Sequence, residues 1–190
     1  MEVRRRVVHI GFGLGVMVML ALSAAVPYGH VYVEAFLMAG FFVGVVIIDQ
    51  KLKGKGLVVV DTLLKFLERP YSLPAHGAFW YGLGTLLVIS FSRNIMEMQA
   101  ALLLLALGDG FSTLIGKLGK IPLPHNPKKT LEGSIAFFAA GILSVLFVGI
   151  SGLVLSLIAA VVESTNLRID DNFLIPLVCV LFFRLLGAGI

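Results

Sequence analysis

The chain has 190 residues, 58% of them hydrophobic and 14% charged, and a mean hydropathy of +1.00. Soluble domains carry about 25% charged residues, so most of this chain is expected to be solvated by lipid, as one domain over 1–190 with no hydrophilic linker long enough to divide it. The net charge of +4 and pI of about 9.4 fit Lys and Arg collecting in cytoplasmic loops better than a nucleic-acid surface, and the lone Cys179 excludes an intrachain disulfide and a cysteine metal site.

Runs of roughly 18 or more apolar residues suit a bilayer core about 30 Å thick. The first predicted span is 7–26. Its basic flank, apolar run and small residues have signal-peptide character, but the run is long for a signal and is read as a retained span. The second span is 31–48. After it comes GLVVVDTLLKFLERP, where Leu57, Val60, Leu63, Leu64 and Leu67 repeat at helical spacing while Asp61, Lys65 and Glu68 share another face. This segment is expected to lie in the membrane interface, ended by Pro70; the alternative is an ordinary connector helix. Further spans follow at 75–91, 95–114 and 134–150. A shorter run at 153–162 is expected to be a short or tilted sixth helix, and the last span is 173–186. The expected fold class is therefore all-α, a polytopic membrane bundle of about seven helices plus an interfacial one. With no internal repeat, an inverted-repeat transporter is not suggested.

Positive charge selects an orientation. With the N-terminus in the cytoplasm, the inner side holds Arg4, Arg5, Arg6, Lys51, Lys53, Lys55, Lys65, Arg69, Lys117, Lys120, Lys128, Lys129 and Arg168. The outer side holds Arg93, with Arg184 near the end of the last span. This asymmetry predicts an integral membrane protein whose N-terminus and 117–129 loop are cytoplasmic.

The stretch 108–134, GDGFSTLIGKLGKIPLPHNPKKTLEGS, is the richest in chemistry. Asp109 interrupts an apolar run about two helical turns before Lys117. An ionisable residue within a span is costly and is read as functional, and the flanking Gly108 and Gly110 allow a helix, a loop or a ligand to come close. Holding Mg²⁺ against phosphates is the natural task, because that ion combines carboxylate and phosphate oxygens; the plainer alternative is a structural pair with a lysine. Lys128 and Lys129 suit phosphate as point charges and Thr130 as a hydroxyl, although a lysine pair can serve topology alone. Gly116, Gly119, Pro122, Pro124 and Pro127 imply a shaped loop. It is not a P-loop, since no GxxxxGK[ST] is present. Residues 130–134 form a fair helix start with Ser134 as a candidate cap, and a helix N-terminus there would add its dipole toward phosphate.

Glu132 offers three roles: a second Mg²⁺ ligand, acceptor of a proton from an attacking hydroxyl, or compensation of the helix dipole. Asp170, Asp171 and Asn172 open the last span on the cytoplasmic side, against the positive-inside trend, as caps or as metal and nucleotide ligands. Glu163, at the end of the sixth span, is a candidate for the same site. His9 is either catalytic or a satisfied interface residue.

Five segments in order, RRRVVHIGFG, HGAFWYGLG, GDGFSTLIGKLGK, PKKTLEGS and IDDNFLIPL, resemble the polytopic CTP-dependent lipid kinases. That family includes dolichol kinase, phytol kinase and yeast-type diacylglycerol kinase, and is related to phosphatidate cytidylyltransferases. The first segment looks like the family's basic-residue–x–x–His start, with Arg6 where lysine is commoner. The last three look like G-D-x-x-[AS]-x-x-x-G-[KR]-x-x-G-K, K-[KS]-[TS]-x-E-G-[ST] and D-D-N-x-x-I/V-P, and are specific in combination. The chain is short beside dolichol kinases and looks more like the compact phytol-kinase or prokaryotic members.

The resemblance implies transfer of the γ-phosphate of CTP, with Mg²⁺ or another divalent cation, to the hydroxyl of a membrane lipid. Candidate acceptors are dolichol or another polyprenol, phytol or geranylgeraniol, and a diacylglycerol-like lipid. It implies catalytic roles for Asp109, Lys129 and Glu132, and metal ligation by Asp109, Glu132 and Asp170. Nucleotide or phosphate contacts fall to Lys117, Lys128, Lys129, Thr130, Asp171 and Asn172, with His9 and Glu163 as further candidates. Two other readings remain open. A cytidylyltransferase would make a CDP-lipid by attack at the α-phosphate, and a carrier or scaffold would do no chemistry.

Overall fold

Apolar runs of bilayer length must satisfy their backbone hydrogen bonds internally, which favours helices. The structure, a computed structural model, describes residues 2–56, 61–62, 75–167 and 169–186. Each of the seven predicted spans is helical. These are α1 (Glu2–Ser23), α2 (Gly29–Leu52), α3 (His76–Phe91), α4 (Ile95–Gly116), α5 (Leu131–Val148), α6 (Ile150–Ser164) and α7 (Asp171–Leu186). By length and composition α1, α2, α4 and α5 can cross a membrane, while α3 and α6 are shorter apolar helices. Among the described residues the fold is all-α apart from one small hairpin. The predicted interfacial helix lies outside the described residues except for Gly56, Asp61 and Thr62, and Arg168 lies outside them too.

The hairpin is the main departure from the expected element order. Between α4 and α5, β1 (Pro122–Leu123) pairs antiparallel with β2 (Asn126–Thr130), Pro122 opposite Thr130 and Leu123 opposite Asn126. The start of α5 also differs. Ser134 was a candidate cap, but Thr130 takes that position: its backbone is extended and its Oγ1 accepts the Gly133 N–H at 3.3 Å. The helix therefore begins immediately where the hairpin ends. At the far end of α5, Gly149 with φ 61° and ψ −146° makes the break to α6 in a conformation few other residues adopt.

α4 is the hub. In its apolar window 72% of residues are buried, against 11% for α2, so α4 is sheathed by other helices while α2 presents Met38, Phe42 and Val43 outward. Ala100, Ala101, Leu102 and Leu104 of α4 pack in one core with Leu20 of α1, Phe137 of α5, Leu155 of α6 and Ile175 of α7. Residues Leu104–Gly108 form a π-helical turn immediately before Asp109. Such turns are rare and recur at functional sites. The glycines around Asp109 answer to neighbouring helices: a Cβ on Gly108 would lie 3.0 Å from the Phe137 ring, and one on Gly110 would lie 2.6 Å from Ile10.

Candidate functional site

Five elements converge near one end of the bundle. The π-turn leads into Asp109, which is 1% exposed. From α1, Arg6 is 8% exposed and its Nη1 donates to Asp109 Oδ2. Near the end of α6, Glu163 is 0% exposed; its Oε1 accepts the Ser112 hydroxyl at 2.6 Å and the Lys129 ammonium. Lys129, on β2, also donates to Asp171 Oδ2 at 2.8 Å, at the start of α7. Burial opposes the charge on Lys129, but attraction and hydrogen bonds from Glu163 and Asp171 more than offset it and raise its pKa above the ordinary lysine value. It is therefore a fixed cation.

One carboxylate oxygen each from Asp109, Glu163 and Asp171 lies within 4.8 Å of the others. Asp109 Oδ1 and Glu163 Oε2 are buried and have no hydrogen-bond partner among the described residues. An unsatisfied buried acceptor costs about 1–3 kcal/mol, and more when charged, so two on neighbouring carboxylates point to a missing partner. Among the described residues, Arg6 pairs with Asp109, and Lys129 pairs with both Glu163 and Asp171. Convergent oxygen-only donors suit a hard divalent cation such as Mg²⁺.

Above these groups opens a cavity of about 540 Å³, whose lining includes Arg6, His9, Lys128, Lys129 and Asp171. That size is in the range of small-molecule sites. Asp109 and Glu163 are not among its lining residues, but Arg6 and Lys129, which bond to them, line it together with Asp171. His9 stacks on Tyr81 with ring centroids 4.7 Å apart, and the Tyr81 hydroxyl donates to the His9 carbonyl at 2.9 Å.

The loop that carries Lys129 is tied down at several points. Asn126, 3% exposed, donates through Nδ2 to the Ser164 and Thr165 carbonyls, each at 3.1 Å, fastening β2 to the end of α6. Thr130 Oγ1 donates to the Gly116 carbonyl at 3.1 Å. Glu132 accepts the Lys120 N–H at 2.7 Å and the Ile121 N–H at 3.3 Å, so its carboxylate latches the loop after α4.

Of the residues singled out from sequence, Asp109, Lys129, Glu163 and Asp171 come together. Glu132 and Thr130 are engaged in shaping the loop, and Lys117 is exposed at the end of α4. Lys128 is exposed on the cavity wall. Asp170 Oδ1 accepts the Asn172 backbone N–H at 3.0 Å and its Nδ2 at 2.8 Å, and both residues line the cavity rather than joining the three carboxylates. Sequence reasoning missed the pairing of Arg6, the bond from Ser112 and the anchoring by Asn126. Two of these left a trace. Arg6 precedes His9 by three residues and Ser112 follows Asp109 by three, and that spacing puts each pair on one helix face.

No protein-family model matches the chain, and no solved structure matches it closely enough to carry weight. The chain is similar to an uncharacterized protein of Methanocaldococcus jannaschii, 28% identical over 93% of this chain and 90% of that protein. It is also 28% identical to a probable chloroplastic phytol kinase of Oryza sativa subsp. japonica, over 93% of this chain and 63% of the relative. A chloroplastic farnesol kinase of Arabidopsis thaliana is 28% identical over 91% of this chain and 62% of its own length. The chain thus spans a little over three-fifths of these plant kinases.

Proposed function

We propose that the protein is a membrane-embedded lipid-alcohol kinase that transfers the γ-phosphate of CTP to the hydroxyl of an isoprenoid-type alcohol. The observation that carries this reading is the group Asp109, Glu163 and Asp171, with two orphaned oxygens, set beneath a lysine-bearing cavity in an otherwise apolar bundle. The similarity to phytol and farnesol kinases supports the acceptor class, and CTP as donor rests on the motif resemblance. The site is assigned to the cytoplasmic face, where nucleoside triphosphates are available.

Phosphoryl transfer needs positioning and charge stabilisation more than covalent help from the protein. Asp109 and Glu163 would hold a divalent cation, which supplies neutralisation of the polyphosphate charge. Lys128 and Lys129 flank the phosphates. The acceptor hydroxyl oxygen bonds to the γ-phosphorus as the bond to the β-bridging oxygen breaks. CDP departs and the hydroxyl proton passes to Asp171, the carboxylate of the three that lines the cavity. The lipid tail stays in the bilayer throughout, since each CH₂ brought into water costs about 0.8 kcal/mol.

CTP labelled separately at the α and γ phosphates, given to the reconstituted protein with phytol or farnesol, tests the reading. Label from the γ position alone is expected in the lipid. Label from the α position in the lipid would replace the kinase with a cytidylyltransferase.

A further inference from the structure

A second cavity, of about 380 Å³, lies between α2 and α3. Its lining is apolar apart from Thr85 and Lys51, and the Lys51 amine is paired with Asp61. It shares four lining residues with the polar cavity: Phe12, Ala75, Ala78 and Gly82. The two spaces therefore adjoin beside Phe12 of α1, over a seam of small residues at the start of α3. From that seam the apolar groove follows α2 from Lys51 back to Phe36, a run of ~22 Å at 1.5 Å per residue. Beyond its far end the two helices are tied by the Ser90 hydroxyl donating to Glu34 at 2.5 Å.

We infer that this groove holds the hydrocarbon chain of the acceptor alcohol, with its hydroxyl delivered across the Ala78–Gly82 seam to the Lys129–Asp171 wall. The inference rests on the kinase reading and adds where the tail lies and what limits its length. Continuity with the polar cavity selects the occupant. A bulk lipid would have no reason to place a polar end at this seam, whereas an alcohol awaiting phosphorylation must. Gly40 and Gly44 line the groove on the α2 side, and a Cβ built on either meets no atom within 4 Å. They leave open the space that a chain would fill. A larger side chain at either position would start in open space and shorten the groove, and would also improve helix propensity.

The full-length protein in proteoliposomes, supplied with CTP and geraniol, farnesol or phytol, provides the test. Gly40→Leu, in the deep half, is expected to lower the phytol-to-geraniol ratio of kcat/KM about tenfold, the worth of roughly two buried methylene groups. Gly44→Leu, nearer the seam, is expected to extend the penalty to farnesol. Gly15→Leu on α1, which also meets open space but lines neither cavity, is expected to leave the ratio as in the wild type. If the wild type phosphorylates none of the alcohols, the kinase reading falls and the groove assignment with it. If it phosphorylates them but neither α2 variant changes the ratio, the groove assignment alone is overturned. Should the variants fail to fold, a prenol bearing a terminal diazirine, photolysed in the wild type, decides the matter. Cross-links on α2 and α3 support the groove, and cross-links confined to other helices overturn it.

Discussion

Glu163 has no solvent exposure, and only one of its two carboxylate oxygens is hydrogen-bonded. Asp109 likewise has one buried oxygen without a partner among the described residues. Burying charge is tolerated when it is paired and saturated, and here saturation is incomplete on both. Under the proposed assignment Mg²⁺ completes it, and at a hundredfold excess over Kd it should stabilise the fold by about 2.7 kcal/mol. Thermal unfolding of the wild type with and without Mg²⁺ is expected to show that gain. Asp109→Asn and Glu163→Gln are each expected to lose most of it, along with activity. A wild-type melting temperature indifferent to Mg²⁺ and to chelator would remove the metal from the site. At this scale the sequence was legible for Asp109, an isolated carboxylate in an apolar run. For Arg6 the spacing to His9 marks a shared helix face, but its bond to Asp109 was not legible, because it spans 103 residues of chain and Arg4 and Arg5 beside it look like the same topology signal.

At the scale of elements, the hairpin and the start of α5 form one device. β2 carries Lys129 into the site, and its last residue, Thr130, caps α5 and bonds back to Gly116. Loss of an N-cap hydroxyl costs about 1 kcal/mol. Thr130→Ala should therefore lower thermal stability by about that amount, and Thr130→Ser should restore it. Because the cap also fixes the strand bearing Lys129, activity is expected to fall further than stability in the alanine variant and to recover with serine. A loss of stability with full activity would detach the cap from the site. The helices were readable because long apolar runs in lipid have few alternatives. The hairpin was not, because PLPHNPKKT has neither the period-two alternation nor the Asn-Gly or Asp-Gly turn that announces one. The π-turn before Asp109 leaves no mark in an unbroken run of Leu and Ala.

At the scale of the molecule, the site draws on α1, α4, β2, α6 and α7, and α4 holds them together from the core. The proposed orientation puts this end in the cytoplasm and the turn between α3 and α4 on the opposite side. Cys179 is buried in α7 and gives a quiet background for labelling. In sealed vesicles of known sidedness, Lys128→Cys is expected to react with a membrane-impermeant maleimide only from the cytoplasmic side, and Asn94→Cys only from the other. The reverse pattern would invert the topology and put the site out of reach of cytoplasmic CTP.

The sequence by itself determined the order of the seven helices among the described residues and the stretch where charged and glycine residues interrupt the apolar runs. Hydropathy over a bilayer's length and a carboxylate within it are local properties, and each carries its own energetic consequence. Only the tertiary structure decided which charges meet. Asp109, Glu163 and Asp171 share one small space, while Glu132 and Asp170 are engaged elsewhere. That selection depends on how distant helices pack, on the close approaches at Gly108 and Gly110 and on the anchoring of β2 by Asn126. None of these follows from spacing along the chain, because each is fixed by the partner surface and not by the residue's own neighbours.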